Sequence, residues 1–170
     1  MRERSDRGAV VAASIAAGLG TASAAVSAYW ALGGTALLDT IGGEIEQSGR
    51  QRSAGVVIAL GVVVIVKLVG AAAPLMFAGV GAGRLPAWTR ACWMRRLGWL
   101  AAVGSTLYGG VLTVAGLLVE VGVLEEADDA DERALAWHAY LWDPWFALWG
   151  AAFVVTMWCS RQRASEYDGR

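Results

Sequence analysis

Residues 54–80 read AGVVIALGVVVIVKLVGAAAPLMFAGV, an apolar run whose one charged side chain is Lys67. At 1.5 Å of rise per residue, a helix of this length covers the ~30 Å hydrocarbon core of a bilayer with residues to spare. Outward from it, three more stretches have the same character: Gly8 to Leu32, Leu97 to Val121 and Ala139 to Cys159. The fold class that follows is all-α, a polytopic membrane protein. It is read as an antiparallel bundle of four transmembrane helices with spans at about 8–32, 54–80, 97–121 and 139–159, one membrane domain over 1–170. The 170 residues are 56% hydrophobic and 17% charged, whereas soluble domains run at about 45–50% and about 25%. Four spans leave only short loops, which excludes a sizeable soluble domain.

Basic residues set the expected orientation. Arg2, Arg4 and Arg7 precede the first span, Arg84, Arg90, Arg95 and Arg96 follow the second, and Arg161, Arg163 and Arg170 close the chain. The other two loops hold only Arg50, Arg52 and Arg133. Both termini, with a short tail at 161–170, are therefore expected in the cytoplasm, and loops 34–53 and 122–138 outside the cytoplasmic membrane. Indole rings settle at headgroup depth, which fits Trp88, Trp93, Trp99 and Trp158 inside and Trp30, Trp137, Trp142 and Trp145 outside, leaving Trp149 in the core. Glu125, Glu126, Asp128, Asp129, Asp131 and Glu132 form an acidic outer loop that reads as a solvated turn. An alternative for residues 1–28 is a secretory signal, with an Arg-rich start, an apolar core and small residues at Val26-Ser27-Ala28.

Several chemistries are disfavoured from the outset. A net charge of -1 supplies no basic tract, so no nucleic-acid partner is expected. Cys92 and Cys159 are too few for a disulfide scaffold or a cysteine zinc site, and no His-x-x-x-His spacing occurs. No metal, cofactor or catalytic set is expected. Asn is absent and every basic residue but Lys67 and His138 is Arg, a bias that points to a GC-rich bacterial genome.

In lipid, helices are drawn together by small residues and hydroxyls rather than by hydrophobicity. Thr106, Gly109, Thr113, Gly116 and Glu120 recur at spacings of three and four and form one protein-facing stripe on the third span. Ser14, Gly18, Thr21, Ala25 and Ala28 make a matching stripe on the first, so these two spans are expected to pack closely. Lys67 is the sharpest anomaly, because a cation at mid-span costs at least ~2.5–3.5 kcal/mol and needs a partner. The Gly70 carbonyl is one, since Pro74 has no N–H to bond it; Tyr108 and Glu120 are others. Asp143-Pro144 reads as a helix start, with the carboxylate as cap and proline at the first turn. Beside it stands the only histidine, His138.

Trp30-Ala31-Leu32-Gly33-Gly34, closing the first span, and Trp137-His138-Ala139-Tyr140-Leu141-Trp142-Asp143-Pro144-Trp145, opening the last, resemble a family of small uncharacterised bacterial four-helix integral membrane proteins of actinobacterial type. The resemblance implies that the two motifs belong together in space, with Trp30, His138, Trp142 and Asp143 as residues to test. Gly33-Gly34 independently reads as a helix stop.

Three functional classes follow. The first is a non-catalytic membrane component that associates with its own copies or with another membrane protein in the lipid bilayer. The second is a binder or transporter of a small ionic or amphipathic ligand, with Lys67, Tyr108, Glu120, Trp30, His138, Trp142 and Asp143 as its candidate binding residues. The third is a membrane-embedded enzyme using His138 with Asp143 or Glu120.

Overall fold

The computed structural model describes residues 2–125 and 131–161, so Glu126, Asp128 and Asp129 of the acidic loop and the tail from 162 lie outside the described residues. Six α-helices occur among them: α1 (Arg2–Ala31), α2 (Gly43–Gln51), α3 (Ala54–Phe77), α4 (Cys92–Glu120), α5 (Glu132–Trp137) and α6 (Asp143–Cys159). Single turns of tighter helix at Leu38–Thr40, Ala82–Arg84 and Ala87–Arg90 lie in the connections. Three helical segments, Asp6–Ala31, Ala54–Phe77 and Cys92–Glu120, are long and apolar enough to cross a membrane.

Helix ends follow local chemistry. Past the end of α1 the Gly34 N–H reaches the Tyr29 carbonyl at 2.8 Å while Gly33 takes φ +102°, the left-handed closure in which glycine avoids a Cβ clash. Ser53 caps α3 by accepting from the Val56 N–H. At the last helical run the expectation needs correction. Asp143 and Pro144 do open α6, but no side chain caps it there; the capping carboxylate is Asp131, which accepts from the Arg133 and Ala134 N–H groups at the start of α5. From Glu132 the helix continues through a wider π turn, His138–Trp142, directly into α6. Pro144 explains the widening, since in a regular helix its ring would press on the carbonyl four residues back and its missing N–H would break the ladder.

α1 packs along α3 and α6, and α4 along α6, whereas α3 and α4 barely meet. The close α1–α4 contact expected from the two stripes is not formed. On α1 the buried face is Ala9, Ala13, Ala16, Ser23, Ala24, Ser27 and Trp30, while Ser14, Gly18, Thr21 and Ala25 are exposed. The α4 stripe faces protein from Thr106 to Gly116, against α6 and the π turn, while Glu120 at its end is exposed. A Cβ on Gly109 would strike the Asp143 carbonyl and the Ala147 amide, and one on Gly116 would lie 2.9 Å from the Ala139 Cβ. Gly150 on α6 returns the contact, with the Thr106 backbone against it. Thr106 and Thr113 spend their hydroxyls on carbonyls of their own helix, Ala102 at 2.7 Å and Gly109 at 2.6 Å, so close backbone approach rather than bridging joins these helices. Trp149 fills the junction of α1, α3 and α6. A Cβ on Gly20 would come within 2.7 Å of its ring and one on Gly70 within 3.1 Å.

Candidate functional site

The two motifs meet at one end of the bundle. Trp30 and Trp142 contact edge to face, with ring centroids 5.8 Å apart. The Trp30 indole N–H donates to the Ala36 carbonyl at 2.9 Å, folding the post-α1 loop over the ring. The Trp142 N–H donates to Thr40 Oγ1 at 3.1 Å, and Thr40, fully buried, donates onward to the Leu37 carbonyl at 2.6 Å. Arg133 reaches Asp39 at 2.9 Å across the same gap. The loop between α1 and α2 is thus stitched to α5 and the π turn. Thr40 had no local signal in the sequence, since its partner lies 102 positions away.

Within this cap, His138 Nδ1 lies 3.4 Å from Asp143 Oδ1, with the carboxylate buried and the imidazole more open. The pair can hold or pass a proton. No serine, threonine or cysteine side chain is bonded to it among the described residues, and among them no group of three His, Cys, Asp or Glu can hold a metal. Trp145, placed with the outer tryptophans by the sequence, instead donates to the Leu19 carbonyl at 3.0 Å, in the middle of α1.

About one helical turn further in, by 1.5 Å per residue from Trp30 to Ser27 and from Asp143 to Phe146, lies Lys67. Its ammonium nitrogen donates to Ser27 Oγ at 2.8 Å and to the Ser23 carbonyl at 3.4 Å, and stands 5.6 Å from the centre of the Phe146 ring. Hydroxyl, carbonyl and π face are all electron-rich, an environment complementary to a cation. The partners come from α1 and α6 rather than from the three groups read in the sequence. Tyr108 is exposed and packs its ring edge-on to Phe146, centroids 6.0 Å apart. Glu120 is exposed at the end of α4. Lys67 therefore has no carboxylate partner among the described residues.

Because α3 and α4 separate, a cleft of about 400 Å³ opens beside Lys67. Val63 and Val66 of α3, Ala101 and Ser105 of α4, and Phe146 and Phe153 of α6 line it. A second hollow of about 580 Å³ on α4, lined by Leu107, Val111, Val114 and Leu118, holds no charged group. Of the two, the lysine cleft is the one with a charged group in its wall. It has the size of a small-molecule site, apolar walls with few polar groups.

The family model described as "Protein of unknown function (DUF3995)" matches residues 20–153, more than half of the chain, so the chain belongs to that family. Both tryptophan motifs and Lys67 fall within the match. No curated protein and no solved structure matches the chain.

Proposed function

We propose that this is a non-catalytic protein of the bacterial cytoplasmic membrane that holds a small amphipathic ligand in the cleft between α3 and α4. The observation that carries this reading is Lys67, a cation inside an apolar span that is served only by neutral acceptors and lines an open cleft beside Phe146. A lysine kept solely for packing would be better placed against a carboxylate or sealed by neighbouring helices. The cap of Trp30, Thr40, Trp142, His138 and Asp143 closes the end of the bundle above it and gives the ligand a boundary.

In this reading the run Glu132 to Cys159 is the fourth span, and the four helices alternate in direction. Both termini lie in the cytoplasm, supported by the arginines that flank α1, α3 and α6. The first helix is retained rather than cleaved as a signal, since Ser23 and Ser27 are the groups that satisfy Lys67. The intact mass of the purified protein checks this, and loss of residues 1–28 would refute it. A membrane-impermeant thiol reagent applied to intact cells checks the orientation. Cys92 is exposed at the start of α4, and its labelling from outside would overturn the topology.

The decisive experiment is a native mass spectrum from a gentle detergent under graded activation. A stoichiometric small molecule that persists after the detergent is stripped supports the ligand reading. A bare oligomer or a co-purifying polypeptide supports the second reading, a component that associates with its own copies or another membrane protein. That reading rests on the apolar outer faces of α3 and α4, where Ile58, Val69, Leu107 and Val111 are all at least 60% exposed.

A further inference from the structure

The shape and charge of the lysine cleft narrow the ligand class. One lysine lines it, with its ammonium 5.6 Å from the centre of the Phe146 ring that lines it too, and Ser105 is the other polar residue of the wall. Arginine forks, the groups that grip phosphate in two-pronged fashion, are absent from its lining; Arg95 and Arg161 instead belong to the far end of the bundle, where Arg161 stacks on Trp99 and Trp158 at 4.9 Å and 4.5 Å. Lys67 also sits about a turn deeper than the Trp30–Trp142 pair, below the level where a bulky, hydrated headgroup is at ease. From Phe146 to Phe153 the cleft runs on along α6 for about 10 Å at 1.5 Å per residue, with apolar walls. A single compact anion at one end and a slender apolar body along the rest match this outline.

Resting on the ligand-binding reading above, we infer that the cleft binds a single-chain amphiphile with a carboxylate head, of the long-chain fatty-acid type. The carboxylate accepts from Lys67 and displaces none of the Ser27 or Ser23 contacts, since an ammonium has three donors and two are in use. The first part of the chain lies against Val66, Trp149 and Phe153, and the remainder extends into the bilayer through the side that α3 and α4 leave open. Pairing one charge with one charge removes the cost that each would bear alone in the apolar interior.

The test uses the full chain in a neutral detergent and 9,10-dibromostearic acid, whose bromines quench nearby indoles, Trp149 being in the cleft wall. The methyl ester of the same acid is the uncharged control. Saturable quenching at one acid per chain is expected, with the ester at least tenfold weaker and Lys67→Met lowering acid affinity to the level of the ester. Equal binding of acid and ester, or unchanged acid binding by Lys67→Met, overturns the carboxylate assignment while leaving a cleft ligand of other chemistry intact. Should Lys67→Met fail to fold, Val66→Trp fills the cleft from an exposed wall position without touching the Ser27 bond. It must abolish acid binding, and full binding by it overturns the site. Absence of saturable quenching by either probe, together with a native mass spectrum free of retained small molecules, removes both this inference and the reading beneath it.

Discussion

α4 meets α6 on one side and α3 on another, and treats the two differently. Against α6 and the π turn it presents Gly109 and Gly116, and Gly150 answers from the other side, so backbones approach until a Cβ added at Gly109 or Gly150 would collide with main-chain atoms. Toward α3 the contact is confined to one end, where Gly98 lies under the Phe77 ring; over Val62, Val63 and Val66 the two helices stay apart around a cleft. Both faces are apolar, so the difference cannot come from hydrophobicity, which does not distinguish a helix from lipid inside a bilayer. It comes from the size of the side chains at the contact. Glycine lets dispersion and dipole contacts accumulate between backbones; branched side chains hold the axes apart and leave space beside the one cation.

If that account of the seam is right, Gly109→Val breaks it. The new side chain meets the Asp143 carbonyl and the Ala147 amide, main-chain atoms that cannot swing aside. Overpacking costs about 1–3 kcal/mol and occasionally more, the upper end being expected where the clash is with main chain. Thermal unfolding in detergent should show a marked loss of stability or no folded protein, and a melting temperature equal to wild type would mean that α4 and α6 are not joined by backbone approach. The same substitution across the gap is the contrast: Gly61→Val, with open space around it on α3, should be neutral.

A smaller effect is expected at the cap. Thr40→Val keeps the shape of a fully buried side chain but removes the acceptor of the Trp142 N–H. Leaving a buried donor unpaired costs about 1–3 kcal/mol. A change below about 0.5 kcal/mol in thermal or denaturant unfolding would show that the α1–α2 loop is not anchored to the π turn through this bond.

The long helices α1, α3 and α4 were legible because length and apolarity alone select them, whereas α2 and α5 fell in stretches read as loops; the Gly33-Gly34 stop was legible because a left-handed closure has a local residue signature. That the Trp30 and Trp142 motifs come together was also within reach, as the contact shows. The buried face of α1 was not. Alanine, glycine, serine and threonine occur all around that helix, so Ser14, Gly18, Thr21 and Ala25 look as fit for packing as the Ala9, Ala13, Ala16 and Ser23 face that is used. The partners of Lys67 were hidden for a related reason: helical periodicity puts the lysine on a face but does not say which helix that face meets. Asp143-Pro144 marked the start of α6, but not that α5 and a π turn lead straight into it, which leaves the Asp143 carboxylate no free N–H groups to cap.

Lys67→Met sharpens the comparison from the other side of the gap. Removing the ammonium leaves Ser27 free to turn its hydroxyl to a carbonyl of its own helix, and a methionine of similar length keeps the wall of the cleft. The melting temperature should rise or stay within the range set by about 1 kcal/mol, since an isolated intramembrane charge is a cost to the fold rather than a support. A large loss of stability would mean that Lys67 joins α3 to α1 as firmly as glycine joins α4 to α6, and the lysine would then be a packing device.

The smallest effect belongs to the surface clasp between Arg133 and Asp39, whose side chains are 65% and 36% exposed. Exposed ion pairs contribute about 0–1 kcal/mol, so Asp39→Asn should shift the unfolding midpoint by little and raised salt should erase what difference there is. Its value lies in what it separates. The clasp and the Trp142–Thr40 bond tie the same loop to the same helical run, one through solvent-screened charge and the other through a buried neutral donor. If Asp39→Asn destabilises more than Thr40→Val, the cap is held by charge at its rim, and the buried indole pair does not set the floor above the lysine cleft.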